Sequence, residues 1–268
     1  MPGSSARVAL GNALEPFNPT LAVVMRAALA CVGTDVTAAT TARSCVVIAP
    51  HPDDETLGAG ATIMRKVDAG TAVHLVVATD GSKSPTGDPA AVAATRAGEL
   101  ASACAVLGLS PGDVTRLPFV DAELDGGDDT LVQAIAEVVL AQRPDDVLVT
   151  AETDPHEDHA ALGAATRRAL AGTGIRLLAY PIWQFERPAR LVRQWRRSGR
   201  PELVSTRGYR ERKAQAVATY PSQVAAVDDA VEGIKPSYLR NFRGTYELFF
   251  PVAVDDRPGN AANPMDGE

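Results

Sequence analysis

Cysteine is scarce in this chain, and so are aromatic residues and positive charge. Cys31, Cys45 and Cys104 are the three cysteines in 268 residues, an odd number without CxxC spacing. That excludes a disulfide framework or a sulfur-ligated zinc site and predicts reduced, mostly buried thiols. Lys and Arg total 26 against 33 Asp and Glu, a formal net charge of −7. A deficit of cations excludes general nucleic-acid binding, which depends on neutralising phosphates. Long apolar runs are also missing. The nearest approach to the ~18 residues of a membrane span is the stretch 21–33, which is short and interrupted by Arg26. With only Arg7 ahead of it, that stretch makes a poor secretory signal. The expectation is a cytoplasmic protein with no membrane and no nucleic-acid partner.

What the chain does have is 46% apolar and 22% charged residues, the balance of a globular protein with a real core. Apolar runs alternate with amphipathic stretches. Strands are predicted over 45–50, 73–78, 114–119, 146–151, 175–183 and 244–254, and helices over 18–32, 55–69, 90–107, 130–142 and 159–171. That alternation predicts an α/β fold: a Rossmann-like, mostly parallel sheet with helices on both faces and its site at the carboxyl ends of the strands. No linker or repeat divides the chain. One domain over 1–268 is expected, with 1–43 as an N-terminal helical extension and 255–268 as a loose tail.

Residues able to do chemistry concentrate in two places. His51-Pro52-Asp53-Asp54-Glu55 follows the first buried strand, and Asp154-Pro155-His156-Glu157-Asp158-His159 follows the strand at 146–151. Parallel strands put both loops on one edge of the sheet, where open α/β sheets bind ligands. Imidazole nitrogen and carboxylate oxygen together suit zinc. Pro52 stiffens its turn so that His51 and Asp54 can face one point while Asp53 faces elsewhere. Each cluster alone could be a capped helix N-terminus. Two of them, holding three of the four histidines, argue for a shared site. The fourth, His74, lies mid-strand and reads as a satisfied core residue. Spacing leaves open whether His156 and His159 both bind metal, which would close the site with four protein ligands.

The segment Pro50-His51-Pro52-Asp53-Asp54-Glu55 closely resembles the AHPDDE signature of the LmbE-like (PIG-L) zinc N-deacetylases, and His156-Glu-Asp-His159 resembles their HxDH signature. Arg96-Ala-Gly-Glu99 with Leu107-Gly108, and Lys213 leading to Tyr-Pro-Ser222-Gln223, are similar to two further family segments. The likeness covers residues 45–223. Pro50 and the N-terminal extension depart from the pattern without touching the metal motif. The resemblance implies Zn2+ held by His51, Asp54 and His159, with a position left for water. It implies Asp53 as general base, His156 as the residue that stabilises or protonates groups during turnover, and Arg96 and Asp121 as holders of sugar hydroxyls. The implied reaction removes an N-acyl group from a glucosamine unit of a larger conjugate. A glycopeptide antibiotic intermediate, an aminoglycoside intermediate and a GlcNAc-inositol thiol precursor are the substrates considered.

Rival readings fare worse. Gly58-Ala-Gly60 suggests a dinucleotide loop, but Asp53, Asp54 and Glu55 ahead of it would repel a pyrophosphate. Gly108-Leu-Ser110-Pro-Gly112 mimics a nucleophile elbow, yet it follows a helix, and Pro111 lacks the needed N–H. A non-catalytic zinc- or carbohydrate-binding module remains as an alternative of another class. The Arg-rich stretch 187–213, with Trp183 and Trp195 beside it, reads either as a solvated helix or as a wall for a bulky or anionic substrate.

Overall fold

The computed structural model describes residues 19–83, 87–224 and 234–255. Eight strands form one sheet in the order β1-β7-β8-β6-β5-β2-β3-β4. They span Thr34–Asp35 (β1), Cys45–Ala49 (β2), Val73–Thr79 (β3), Val114–Phe119 (β4), Asp146–Thr150 (β5), Arg176–Tyr180 (β6), Glu202–Ser205 (β7) and Tyr246–Val252 (β8). From β4 through β6 every pairing is parallel, while β8 runs antiparallel between β6 and β7. Strands β2, β3 and β5 are buried at every position. This is why they read as continuous apolar runs, not alternating ones: both faces are covered by helices.

The helices that matter for the site are Pro19–Val32 (α1), Thr37–Thr41 (α2), Asp54–Asp68 (α3), Pro89–Leu107 (α4), Asp129–Gln142 (α5), Glu157–Ala169 (α6), Pro188–Ser198 (α7), Arg210–Val217 (α8) and Pro221–Val224 (α9). Val47, Leu75 and Val77 share one apolar cluster with Leu57, Ile63 and Leu100 of α3 and α4. Val46, Ile48 and Val76 point the other way, into a cluster with Leu131, Ile135 and Leu162 of α5 and α6. Period-two alternation along buried strands thus builds a core on each face. Helix α4 is long and apolar enough to cross a membrane by length and composition alone. Its buried residues nevertheless include Arg96 and Glu99, which hydrogen-bond to Pro52 and Ser222.

Several expectations are corrected. Cys31 is exposed, unlike Cys45 and Cys104. The stretch 187–213 is no single helix: α7, β7 and the start of α8 occupy it. Strand β7 escapes sequence reading because it is short and opens on Glu202, whose carboxylate takes two bonds of 2.8 Å from Arg176. The strand expected over 175–183 stops at Tyr180, and a single 3-10 turn takes over at Trp183. Gly58, half of the apparent dinucleotide motif, lies inside α3. A Cβ there would sit 2.2 Å from the Tyr180 ring, so the glycine serves packing. The readings of 1–18 and of the tail after Asp255 fall outside the described residues.

Candidate metal centre and active site

The chain runs from β2 to β3 and β4 on one side, then returns to place β5 and β6 on the other. The sheet order therefore reverses between β2 and β5, which pair in parallel with Ile48 opposite Val149. Loops leaving adjacent strands in opposite directions open a crevice at such a switch point. The loop after β2 carries His51 to Asp53, and the loop after β5 carries Asp154 to His156.

Local chemistry sets each side chain. The Asp54 carboxylate accepts the His51 backbone N–H at 3.2 Å, folding the turn onto itself. Asp53 stands at the N-cap of α3 but makes no capping bond, and its φ of 124° lies in a region non-glycine residues rarely visit. Backbone of that kind costs about 1–3 kcal/mol and persists only where surrounding structure holds it. Here Glu55 Oε2 accepts the Asp53 N–H at 3.0 Å, while Arg96 donates to the Pro52 carbonyl at 2.8 Å and lies 3.4 Å from the Asp53 carboxylate. In the second loop, Asp154 accepts the His156 N–H at 3.0 Å. His156 then caps α6, its Nδ1 accepting the Asp158 N–H, so the helix starts at Glu157, ahead of the expected His159.

The donors converge. Asp54 Oδ2 lies 3.3 Å from His51 Nδ1 and 3.3 Å from His159 Nε2. Two ligands of a tetrahedral ion at zinc–nitrogen and zinc–oxygen bond lengths stand about 3.3 Å apart, so this spacing fits a shared metal. Neither ring nitrogen of the fully buried His159 has a hydrogen-bond partner within the protein. An orphaned imidazole in such a place calls for an occupant. His51 Nε2 meets Asp121 at 3.0 Å and Asp158 at 3.1 Å, which orients the ring so that Nδ1 faces Asp54. His156 differs: because Nδ1 accepts a backbone N–H, its neutral ring carries the proton on Nε2 and presents a donor. The His51, His156 and His159 rings cluster closely enough to share an ion by distance alone. The His156 tautomer favours Asp54 over His156 as the third ligand.

The buried charges shift these groups in different directions. Asp53, Asp54, Asp121, Asp154 and Asp158 are all buried around the imidazoles, with the Arg96 guanidinium among them. Burial pushes His159 down to about 3 despite Asp54 beside it, so the ring stays neutral and can ligate. Burial also lowers His51, but bonds from Asp121, Asp158 and Asp54 outweigh it and hold that ring well above its ordinary value. For Asp54, burial is overcome by His159 and His51, and the carboxyl titrates below its usual range. Asp53 goes the other way: burial, then the Asp54 charge, raise it well above the usual range, with Arg96 opposing. Asp53 and Asp54, neighbours in the chain, thus shift in opposite directions. The surplus of negative charge is what a dication would offset.

The structure brings all seven predicted residues, His51, Asp53, Asp54, Arg96, Asp121, His156 and His159, into one crevice. Arg96 and Asp121 are engaged by protein there. Arg96 bonds to Pro52 and Gly81 carbonyls, and Asp121 bonds to His51 and to the Lys83 N–H at 2.8 Å. Sequence reasoning placed Asp158 and Asp154 in the second cluster but gave neither a role. Asp158 accepts the Ala122 and Leu124 N–H groups at 2.7 and 3.1 Å besides holding His51. Its position inside HxDH was the available signal. Asp154 accepts the Trp183 N–H at 2.9 Å and lies 3.6 Å from His159 Nδ1. The Arg-rich helix divides its labour: half-buried Arg190 reaches the Thr153 and Asp154 carbonyls, and buried Gln194 bonds to Thr153, so α7 braces the second loop. Arg193, Trp195, Arg196 and Arg197 face solvent. His74 donates to or accepts from Thr115 at 2.8 Å, away from the site.

The chain is similar to known proteins in sequence and in fold. The PIG-L family, described as GlcNAc-PI de-N-acetylase, matches residues 46–170. A 1D-myo-inositol 2-acetamido-2-deoxy-alpha-D-glucopyranoside deacetylase of Kineococcus radiotolerans is 35% identical over 195 residues, 55% of this chain and 54% of that protein. A protein of the same name from Thermobispora bispora is 30% identical over 220 residues, 70% of this chain and 68% of its own length. The matches thus span about half to two thirds of the length of these curated relatives. Among solved structures, N,N'-diacetylchitobiose deacetylase from Pyrococcus horikoshii superposes with a TM-score of 0.64 at 21% identity, covering 85% of this chain and 90% of that one.

Proposed function

The chain belongs to the PIG-L, or GlcNAc-PI de-N-acetylase, family, and from that premise we propose that it is a zinc-dependent hydrolase removing the N-acetyl group from a glucosamine unit of a larger conjugate. The observation that carries the reading is the Asp54 oxygen set 3.3 Å from one nitrogen each of His51 and His159, with both nitrogens of His159 otherwise unpartnered. His51, Asp54 and His159 would hold the ion. Bound there, zinc supplies two things: it acidifies water toward neutral pH and polarises an amide carbonyl.

The remaining steps belong to the chain's own groups. Asp53, buried, raised in affinity for protons and free of any capping bond, takes the proton of the attacking water as general base. His156 presents Nε2–H to the developing oxyanion, and the proton taken up by Asp53 passes to the leaving amine. Asp121 and Asp158 keep His51 in one orientation, and Arg96 holds the Asp53 turn. Arg96 spends both Nη groups on the Gly81 and Pro52 carbonyls and its Nε is itself buried, which supports holding the turn over contact with sugar hydroxyls. The two curated relatives act, by name, on a GlcNAc-inositol, so that conjugate heads the substrate panel. The solvent-facing Arg193, Trp195, Arg196 and Arg197 support an aglycone larger or more anionic than inositol.

The test is mass spectrometry of GlcNAc conjugates incubated with the zinc-loaded protein, looking for loss of one acetyl group. Asp53→Asn keeps size but cannot accept the proton, and should retain metal while kcat falls by roughly 10²–10⁴. Zinc bound without loss of acetyl from any conjugate would favour a binding module instead. Near-normal turnover by Asp53→Asn would remove it from the mechanism.

A further inference from the structure

We propose that Glu55 and Tyr220 are a positioning pair that holds the left-handed Asp53 backbone in place and so aims its carboxylate. The inference rests on the assignment of Asp53 as general base made above. It starts from an unusual division of labour at the start of α3. The N-cap residue Asp53 has φ 124° and ψ −32° and leaves its own side chain uncommitted to the helix. The N–H of that strained residue is instead taken by Glu55 Oε2 at 3.0 Å. A carboxylate with one oxygen so occupied could still swing away. Its other oxygen accepts the Tyr220 hydroxyl at 2.6 Å and the Thr56 hydroxyl at 2.6 Å. Glu55 and Tyr220 are 0% and 1% exposed, so water does not compete for these bonds.

Tyr220 is itself anchored from the far side. Two residues on, Ser222 gives its N–H and its hydroxyl to Glu99 at 2.8 and 2.6 Å. Glu99 stands one turn along α4 from Arg96, whose Nη2 bonds to the Pro52 carbonyl. Helix α4 therefore grips the catalytic turn twice: directly at Pro52 and, through Ser222, Tyr220 and Glu55, at the Asp53 amide. The segment 220–222 lies 165 residues along the chain from Glu55 and contributes no ligand or base. Its hydrogen bond to the turn at Asp53 is made through Glu55 by that hydroxyl.

Two substitutions separate holding from charge. Glu55→Gln keeps the length and can turn its oxygen to the Asp53 N–H. Glu55→Asp keeps the charge but is too short to reach both partners. If the pair acts by holding the amide, Gln should outperform Asp. Tyr220→Phe removes the hydroxyl and keeps the ring. For Glu55→Asp and Tyr220→Phe, kcat should fall roughly tenfold to a hundredfold with KM and zinc content near wild type, the size of effect a small misplacement produces. Hydrogen exchange of the Asp53 amide should quicken in the same two variants while amides of β2 and β5 keep their protection. Glu55→Asp turning over faster than Glu55→Gln would overturn the inference. So would Tyr220→Phe with wild-type kcat, or faster exchange spread evenly over the sheet. If the wild-type protein deacetylates nothing, the proposed function fails, yet the exchange of the Asp53 amide still decides whether Glu55 and Tyr220 hold it.

Discussion

Gly163 ties packing to the candidate metal centre, and replacing it with alanine should damage both by amounts the structure sets. The glycine lies on α6 one turn after His159. A Cβ there would come 2.6 Å from the Thr150 carbonyl oxygen at the end of β5 and 2.9 Å from the Glu152 nitrogen in the loop that follows, both backbone atoms. Reaching ordinary contact at 3.4 Å requires the helix to withdraw by about 0.8 Å. Overpacking of this kind costs ~1–3 kcal/mol, and alanine returns up to ~1 kcal/mol through helix propensity. A net loss of about 1 kcal/mol lowers Tm by roughly 2–4 °C in a chain of this size. The larger effect falls on His159, which would leave the ~0.5 Å tolerance of a functional site. Zinc affinity should drop by about 10–100-fold, as when a group supporting a ligand is lost. Thermal melts of the metal-free protein and competitive zinc titration measure the two effects separately. Gly98→Ala is the control: that exposed helical glycine has nothing within 4 Å of the added carbon. It should gain up to ~1 kcal/mol with zinc affinity unchanged. If Gly163→Ala matches Gly98→Ala in both assays, the close approach of α6 to the β5 loop does not constrain the site.

Three further outcomes are expected. His159→Ala should lose zinc while His156→Ala keeps it, measured as metal per chain after dialysis; loss in both would make His156 a ligand and close the site. Free GlcNAc should be turned over with lower kcat/KM than a bulky or anionic glycoside, and charge reversal at Arg193, Arg196 and Arg197 should erase the difference; equal values in the wild type would detach α7 from substrate recognition. Acid should find Asp146, which is fully buried: burial raises its carboxyl, but bonds from Arg176 and Arg43 outweigh this and hold it below the usual range. A depressed carboxyl stabilises the fold above its unfolded pKa of about 3.9 and ceases to as pH falls through the folded value. Urea unfolding of wild type should therefore weaken below about pH 4 more steeply than that of Asp146→Asn, and parallel slopes would refute the assignment.

The two loops were legible because they break the statistics of their surroundings. Histidine is rare in this chain, and His51, His156 and His159 lie in or just past the loops that follow fully buried strands, where apolar runs give way to charge. Residues that act at short range through their own backbone, such as His51 and Asp54, carry that signal in three or four positions. Asp121 and Tyr220 do not. Asp121 reads as one acid in a polar turn, and its partner His51 is 70 residues away. Tyr220 reads as a residue before a proline, although its hydroxyl meets Glu55 across 165 positions. The same limit hid the sheet's far edge. Nothing local states that β8 enters antiparallel between β6 and β7. Charge concealed β7 further, since Glu202 and the flanking arginines suggest solvent, whereas Glu202 is only partly exposed and paired with Arg176.

That division between local and distant signals follows from how the site is built. Its reactive groups come from two short loops, but the strain at Asp53 and the spacing around Asp54 cannot be maintained by those loops alone. Arg96 from α4, Asp121 and Asp158 around His51, and Arg190 and Gln194 from α7 each spend hydrogen bonds on loop backbone, a loop hydroxyl or the His51 ring. An imidazole held by one carboxylate can rotate about its Cβ. His51, with Asp54 on one nitrogen and two carboxylates on the other, cannot do so without exposing buried charge. Precision at the centre is therefore a property of the helices around it, and substitutions there should alter metal affinity and turnover before they alter the fold.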